Sequence, residues 1–133
     1  MAFHNELGQI GEETACRYLM HKGYRLLSRN WRFHHLEVDI VAEWFGELVF
    51  VEVKTRSSED FMEAADAVDF DKRENLIQAA KAYVKYYNLD QPYRFDIITL
   101  VGNAPDFDIK QIKNAFTPQG VSEEKMRRKF HLE

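Results

Sequence analysis

The chain has 133 residues, of which 45% are hydrophobic and 30% charged, and its formal net charge is −4. This length suits one globular domain, and the composition excludes a chain that is mainly disordered. The single cysteine, Cys16, excludes an intramolecular disulfide framework and a cysteine-cluster zinc site, so we expect a bacterial cytoplasmic protein. No apolar run is long enough to span a membrane, and the acidic balance argues against a non-specific nucleic-acid coat.

Hydrophobic periodicity predicts a helix, three strands, a second helix and two more strands. The predicted ranges are a helix over 6–21, strands over 24–31, 36–44 and 48–55, a helix from an Asp69 or Asp71 cap to about residue 87, and strands over 93–101 and 107–112. Short turns favour antiparallel pairing of the first three strands, and the last strand is expected at a sheet edge. Strands paired in this way and covered by helices give an α/β fold.

Two segments lack a clear period. Residues 56–69 are polar and acidic and are interpreted as a mobile loop. Residues 117–133 are interpreted as a polar, partly basic tail that can be disordered. Residues 1–116 are therefore expected to form the single domain.

Charged side chains interrupt two neighbouring strands that are otherwise apolar. In the third strand, Glu52 and Lys54 follow apolar residues on one face, while the other face carries only valines. Asp39 lies on the preceding strand, and the turn at 45–47 would bring it beside Glu52. A charge in a buried strand costs several kcal/mol unless it is paired or binds a metal, so these three residues are the candidate site.

Two carboxylates and a lysine meet the needs of metal-assisted phosphodiester cleavage. Asp39 and Glu52 could bind Mg²⁺ or Mn²⁺ through oxygen ligands, and the metal would activate a water molecule. Lys54 could orient that water or stabilise the developing negative charge. The alternative is a structural Glu52–Lys54 ion pair, because a lone Glu-x-Lys is a weak signal.

Asp39 followed by Glu52-Val53-Lys54 resembles the PD-(D/E)xK motif of restriction-endonuclease-like nucleases. A wider set of residues between 8 and 116 resembles the YraN-like family, an uncharacterised bacterial family similar in fold to archaeal Holliday-junction resolvases. The set is Gly11-Glu12, Ala15, Tyr18-Leu19, Gly23-Tyr24, Asn30, Arg32, Glu37-Val38-Asp39, Val49-Phe50-Val51-Glu52-Val53-Lys54-Thr55-Arg56, Arg94-Phe95-Asp96 and Asn114-Ala115-Phe116. The resemblance implies a restriction-endonuclease-like mixed sheet of about five strands, flanked by two main helices in the order α-β-β-β-α-β-β.

The resemblance adds Glu12, on the first helix, as a third acid of the metal site. Gly8 and Ala15 lie about one turn on either side of Glu12 and would let the helix approach the sheet. The alternative is an exposed helical glutamate like Glu13. Leu36 departs from the family pattern, which usually has glycine before the Glu-x-Asp, so the hairpin into the site can differ.

Basic residues near the strands are the candidates for DNA contacts. Arg32 and Arg56 lie on or beside the strands and could contact phosphate, and Lys72 could contact phosphate or pair with an acid. Each also has a simpler interpretation as a surface charge. Asp96 is interpreted as a structural acid that pairs with Arg94 or Lys54. The aromatic residues Phe50, Tyr83, Phe95 and Phe107 are assigned to the core, and no stacking platform for single-stranded nucleic acid is expected.

The sequence thus leaves two main hypotheses and a third. The first is a Mg²⁺- or Mn²⁺-dependent nuclease acting on DNA, including branched or structured DNA, with a homodimer as its working form and the strand over 107–112 as one candidate dimer edge. The second is a nucleic-acid-binding or adaptor protein that retains the nuclease fold without cleaving. The third is a scaffold domain with only a structural ion pair.

Overall fold

A computed structural model describes residues 2–57 and 68–130, with the backbone alone for residues 2–5. The elements are α1 (Ala2–His21), β1 (Arg25–Phe33), β2 (Leu36–Trp44), β3 (Glu47–Arg56), α2 (Phe70–Tyr86), β4 (Tyr93–Val101), β5 (Asp108–Phe116) and α3 (Pro118–Phe130). The predicted order is confirmed, with α3 as an addition. The predicted mobile loop over 56–69 lies largely outside the described residues.

Five strands form one mixed sheet in the order β1-β2-β3-β4-β5. The first three strands form the predicted antiparallel meander, β3 and β4 are parallel, and β5 pairs antiparallel with β4 at an edge. The parallel pair requires a crossover between the two strands, and α2 supplies it. This architecture is α/β and agrees with the restriction-endonuclease-like fold that the sequence predicts.

Both faces of the sheet are covered, as the two-sided apolar character of β3 predicts. α1 packs over a layer that includes Val49, Val51 and Ile98, which we call the α1 layer. α2 and α3 cover the opposite face, the α2 layer, which includes Phe50 and Phe95. In the described part of the chain, no helix is long and apolar enough to cross a membrane.

The first helix lies closest to the sheet at a glycine. Gly11 is buried, and a Cβ atom there would overlap the hydroxyl group of Thr55 on β3. Gly8, which the sequence analysis proposed for this approach, has open space where its Cβ would be, so that assignment is wrong. Ala15, one turn further along, is fully buried as expected. The helix–sheet distance is therefore set at Gly11, directly before Glu12.

The second helix begins after Asp69, one of the two predicted caps. The Asp69 carboxylate accepts a hydrogen bond of 2.9 Å from the backbone N–H of Lys72. Its buried face includes the predicted Leu76 and Tyr83. Tyr87, also predicted in this stripe, is 45% exposed because the helix ends at the preceding residue.

The C-terminal segment corrects the sequence analysis, because Pro118–Phe130 forms a helix and not a disordered tail. The hydroxyl group of Thr117 accepts the Gly120 N–H at 3.0 Å and caps the helix. Ion pairs then hold α3 against α2: Arg73 with Glu124 at 3.2 Å, and Lys125 with Glu74 at 2.8 Å. The amphipathic signal of α3 is weak because Val121 is its buried residue.

Candidate active site

The candidate site lies where β2 and β3 separate. The ladder between these strands ends at the pair Ile40 and Val51. Asp39 lies one residue before Ile40 on β2, just outside the ladder, and its Oδ2 atom accepts the backbone N–H of Val53 at 2.8 Å. The carboxylate thus takes a donor that the ladder no longer uses, which fixes Asp39 at the mouth of the gap.

The alternation of β2 breaks at the same point. The sequence analysis placed Val38 and Ile40 on one face, because they are two residues apart. In the structure Val38 packs in the α2 layer and Ile40 in the α1 layer, so this prediction is wrong. The strand rotates at Asp39, and its carboxylate faces the gap between β2 and β3.

Glu52 is the buried acid of the site, with 3% of its surface exposed. Its Oε2 atom lies 3.6 Å from Lys72 Nζ and 4.0 Å from Lys54 Nζ. Its Oε1 atom is buried and has no hydrogen-bond partner among the described residues. A buried carboxylate oxygen without a donor is costly, which makes this atom a candidate metal ligand.

Burial raises the pKa of both acids, and their neighbours change the two shifts in different ways. Burial, and then the charge of Asp39, raises the pKa of Glu52 to about 8. Burial also raises the pKa of Asp39, although the Val53 N–H opposes the shift. With its pKa near 8, Glu52 therefore keeps a proton at neutral pH. Two close acids that cannot both ionise are typical of functional sites, and a divalent cation would replace the proton.

Glu12 lines the same cavity without joining the two acids. The cavity measures about 310 Å³ and lies between α1 and the diverging strands. Burial and the charge of Asp39 raise the pKa of Glu12. Within residues 2–57 and 68–130, no group of three or more Asp, Glu, His or Cys side chains has the spacing of a metal site. The structure therefore brings Asp39 and Glu52 together and leaves Glu12 on the cavity wall.

Asn30 is a site residue that the sequence analysis missed. The β1–β2 register places it opposite Asp39, and its side chain lowers the pKa of Glu12, against the effect of burial. Its φ angle of 52° lies in the left-handed region, which asparagine tolerates better than most residues. An asparagine in the middle of a predicted strand was the available signal, because strands are depleted in asparagine.

The three candidate DNA-binding residues fall in different places. Lys72 joins the site from the first turn of α2 and pairs with Glu52, one of its two predicted alternatives. Arg56 lines the cavity at the end of β3. Arg32 lies outside the cavity lining, is exposed, and pairs with Glu37 at 3.4 Å. Leu36, the departure from the family pattern, pairs with Phe33 in the ladder as an ordinary strand residue.

The family model of uncharacterised protein family UPF0102 matches residues 11–100. The chain belongs to the UPF0102 family. A UPF0102 protein of Bacteroides thetaiotaomicron is 51% identical over 118 residues, covering 89% of this chain and 98% of the relative. One of Bacteroides fragilis is 49% identical with the same coverage, and one of Flavobacterium psychrophilum is 43% identical over 116 residues, covering 87% and 98%.

The UPF0102 match confirms the YraN-like resemblance that the sequence carries. The matched range begins at Gly11 and ends within β4, so it includes both acids of the gap and both lysines. The family description names no reaction.

Proposed function

We propose that this UPF0102 protein is a divalent-metal-dependent nuclease that hydrolyses phosphodiester bonds in DNA. The observation that carries the proposal is the Asp39–Glu52 pair at the strand gap, with a buried Glu52 oxygen that lacks a donor. The raised pKa of both acids supports it, because the pair holds a proton that a cation can displace.

The donor set fits Mg²⁺ or Mn²⁺. Mg²⁺ prefers oxygen ligands and retains several waters, so one or two carboxylates are enough to bind it. Asp39 and Glu52 would hold the metal, and Glu12 is the third candidate ligand on the cavity wall. When bound, such a cation would lower the pKa of a water molecule and polarise the phosphate.

The lysines supply the remaining positive charge. Both ammonium groups reach Glu52 Oε2, and the lysine side chains are partly exposed to the solvent. Once a bound cation balances the negative charge of Glu52, Lys54 and Lys72 can bind the non-bridging oxygens of a phosphate. Their donors would then stabilise the charge that develops on the pentacovalent phosphate.

DNA is the proposed partner, and Arg56 and Arg32 are its proposed phosphate contacts. A homodimer through the edge strand β5 would present two sites to a branched substrate, with the edge closed by pairing. The bacterial cytoplasm is the proposed location, in agreement with the free, buried Cys16.

The test is cleavage of end-labelled linear and branched DNA in Mg²⁺ or Mn²⁺. We expect Asp39→Asn and Glu52→Gln each to lower the rate by about 10²–10³-fold, the scale for losing one charge-stabilising group. Glu13→Gln is the matched control, since Glu13 lies on α1 beside Glu12 but is exposed. Cleavage at the wild-type rate by both site variants, or no cleavage by the wild type in either metal, would show that the proposal is wrong.

A non-cleaving nucleic-acid-binding protein is the second candidate. The separation of Glu12 from the other acids favours it, as do the two lysines on Glu52, because these ion pairs can be satisfied without a cation. This candidate predicts equal DNA affinity in EDTA and in Mg²⁺, with a shallow salt dependence that reflects few phosphate contacts. Fluorescence anisotropy in the two buffers separates it from the nuclease.

A further inference from the structure

We propose that the end of the β1–β2 hairpin, residues 30–39, is a base-stacking arm whose exposed ring, Phe33, binds an unpaired base of branched DNA next to the candidate site. The proposal rests on the proposed function for its ligand, DNA. It goes beyond that function because it specifies which DNA is bound and which surface recognises it.

The arm extends past the rest of the sheet. The β2–β3 ladder stops at Ile40, whereas the β1–β2 ladder continues to the pair Phe33 and Leu36. Within residues 2–57 and 68–130, the arm is therefore a two-stranded ribbon with no third strand beside it. Its base includes Asp39, so the ribbon begins at the acid pair and continues beyond the end of the β2–β3 ladder.

An aromatic column connects the arm to the core. Phe33 is 39% exposed and stacks on Trp31, with ring centroids 6.1 Å apart and planes 8° apart. Trp31 meets the buried Tyr83 of α2 edge-on at 5.1 Å. An isolated two-stranded ribbon is marginally stable in water, so this column is what holds the arm in place. The sequence predicts no stacking platform for single-stranded nucleic acid, and the proposed role of Phe33 departs from that prediction.

The surroundings of Phe33 suit nucleic acid. Arg32 is exposed beside it and pairs with Glu37 at 3.4 Å, and the exposed His34 packs edge-on against the ring with centroids 4.4 Å apart. A cationic group and a hydrogen-bonding group therefore lie next to a partly exposed ring. Trp31, which supports the ring, packs in the α2 layer, the layer of the helix that carries Lys72. A ring with an exposed face accepts any base, and neighbouring basic groups follow the backbone. The charged groups beside this ring disfavour a purely apolar protein partner, because docking would bury them.

The molecule contains its own control for an exposed ring. Phe45 is 91% exposed and also lies at a hairpin turn, but that turn joins β2 to β3 at the other end of both strands from Asp39 and Val53. Any general effect of removing an exposed phenylalanine should therefore be the same in Phe45→Ala and Phe33→Ala. Only an effect of the arm should be specific to Phe33.

The experiment measures binding in EDTA, where metal-dependent cleavage is silent. The probes are a three-way DNA junction with an unpaired 2-aminopurine at the branch and a fully paired duplex of equal length. We expect Phe33→Ala and Phe33→Leu to weaken junction binding about tenfold, the scale of one lost base–aromatic stack, and to abolish the change in 2-aminopurine fluorescence. Duplex affinity should change less than twofold, and Phe33→Trp should bind the junction as the wild type does. Phe45→Ala should alter neither probe.

Phe33→Leu keeps apolar volume against Trp31, so a loss shared by the leucine and alanine variants is not caused by unfolding of the arm. Four results would each show that the proposed role of the arm is wrong. They are wild-type binding by Phe33→Leu, equal losses of affinity for junction and duplex, an equal effect of Phe45→Ala, and no affinity of the wild-type protein for the junction. Cleavage in Mg²⁺ is scored separately. Junction binding that depends on Phe33, without cleavage, would contradict the proposed nuclease activity and support the base-stacking arm. Cleavage with junction binding that does not depend on Phe33 would support the nuclease and contradict the arm.

Discussion

Two buried acids of the same sheet have opposite surroundings. Asp96 on β4 is 1% exposed and accepts hydrogen bonds from the Arg94 guanidinium at 2.9 and 3.2 Å, from Gln111 at 2.9 Å and from the Asn114 N–H at 2.9 Å. Glu52 on β3 is 3% exposed, and two lysines approach one of its oxygens while the other has no partner among the described residues. The first acid has a full set of donors and the second does not.

The difference indicates how a structural charge can be separated from a functional one. Asp96 fastens β5 to β4 at the point where their register shifts, between Phe95 and Ile97. Its pairing with Arg94 confirms one of the two partners that the sequence suggested. Glu52 does not bridge a register shift between two strands, and its pKa is raised. Burial alone therefore does not identify a site, and an acid that combines burial, a raised pKa and an unpaired oxygen is a stronger candidate.

The largest expected effect separates the two acids by stability. Asp96→Ala leaves Arg94 buried without its main partner, so we expect the free energy of unfolding to fall by about 3–5 kcal/mol. At neutral pH the buried Glu52 keeps its proton, so Glu52→Gln exchanges one neutral side chain for another, and the free energy of unfolding should change by less than about 1 kcal/mol in metal-free buffer. Urea denaturation measures both. Equal destabilisation by the two variants would contradict the comparison.

Metal binding should stabilise the fold through the acids at the strand gap and not through the Asp96 cluster. With free Mg²⁺ or Mn²⁺ at 100 times its dissociation constant, the wild type should gain about 2.7 kcal/mol, which raises Tm by roughly 10 °C. Asp39→Asn should lose this gain, whereas Glu47→Gln, which alters an acid paired with Arg94, should keep it. Thermal melts with and without metal give the result. A gain that persists in Asp39→Asn would place the metal elsewhere.

The smallest expected effect is a pH dependence of the metal-free protein. The pKa of Glu52 is raised in the folded state, from an ordinary value of 4.5 to about 8. The stability that it contributes is full below pH 4.5 and is lost as the pH rises through 8. We expect unfolding to become easier by about 2 kcal/mol between pH 6 and pH 8. The matched variant Glu52→Gln should show a flatter profile, and a parallel profile in denaturation experiments would count against the raised pKa.

Local patterns were enough to predict most of the fold. The apolar alternation of β3 and the helical spacing of α1 and α2 depend on residues close together in the chain. The same holds for the approach of Asp39 to Glu52, because one short turn at 45–47 joins their strands. These features needed no knowledge of distant contacts.

The remaining features depend on contacts between distant segments. The rotation of β2 at Asp39 accompanies the left-handed φ angle of Asn30 on another strand. The choice of Gly11 over Gly8 depends on where Thr55 lies beneath the helix. α3 is held by ion pairs to α2 such as Arg73–Glu124, so its own sequence carries little helical signal. Non-local packing of this kind leaves no period in the sequence.

The parallel pairing of β3 with β4 also has a consequence during synthesis on the ribosome. The partner of Leu48 is Tyr93, which is translated 45 positions later. At roughly 5–20 residues per second, β3 waits about 2–9 s with one side unpaired. Its apolar run then offers a free edge to any neighbouring nascent chain. This interval is when a chaperone would protect the protein most, and slower translation of α2 would lengthen it.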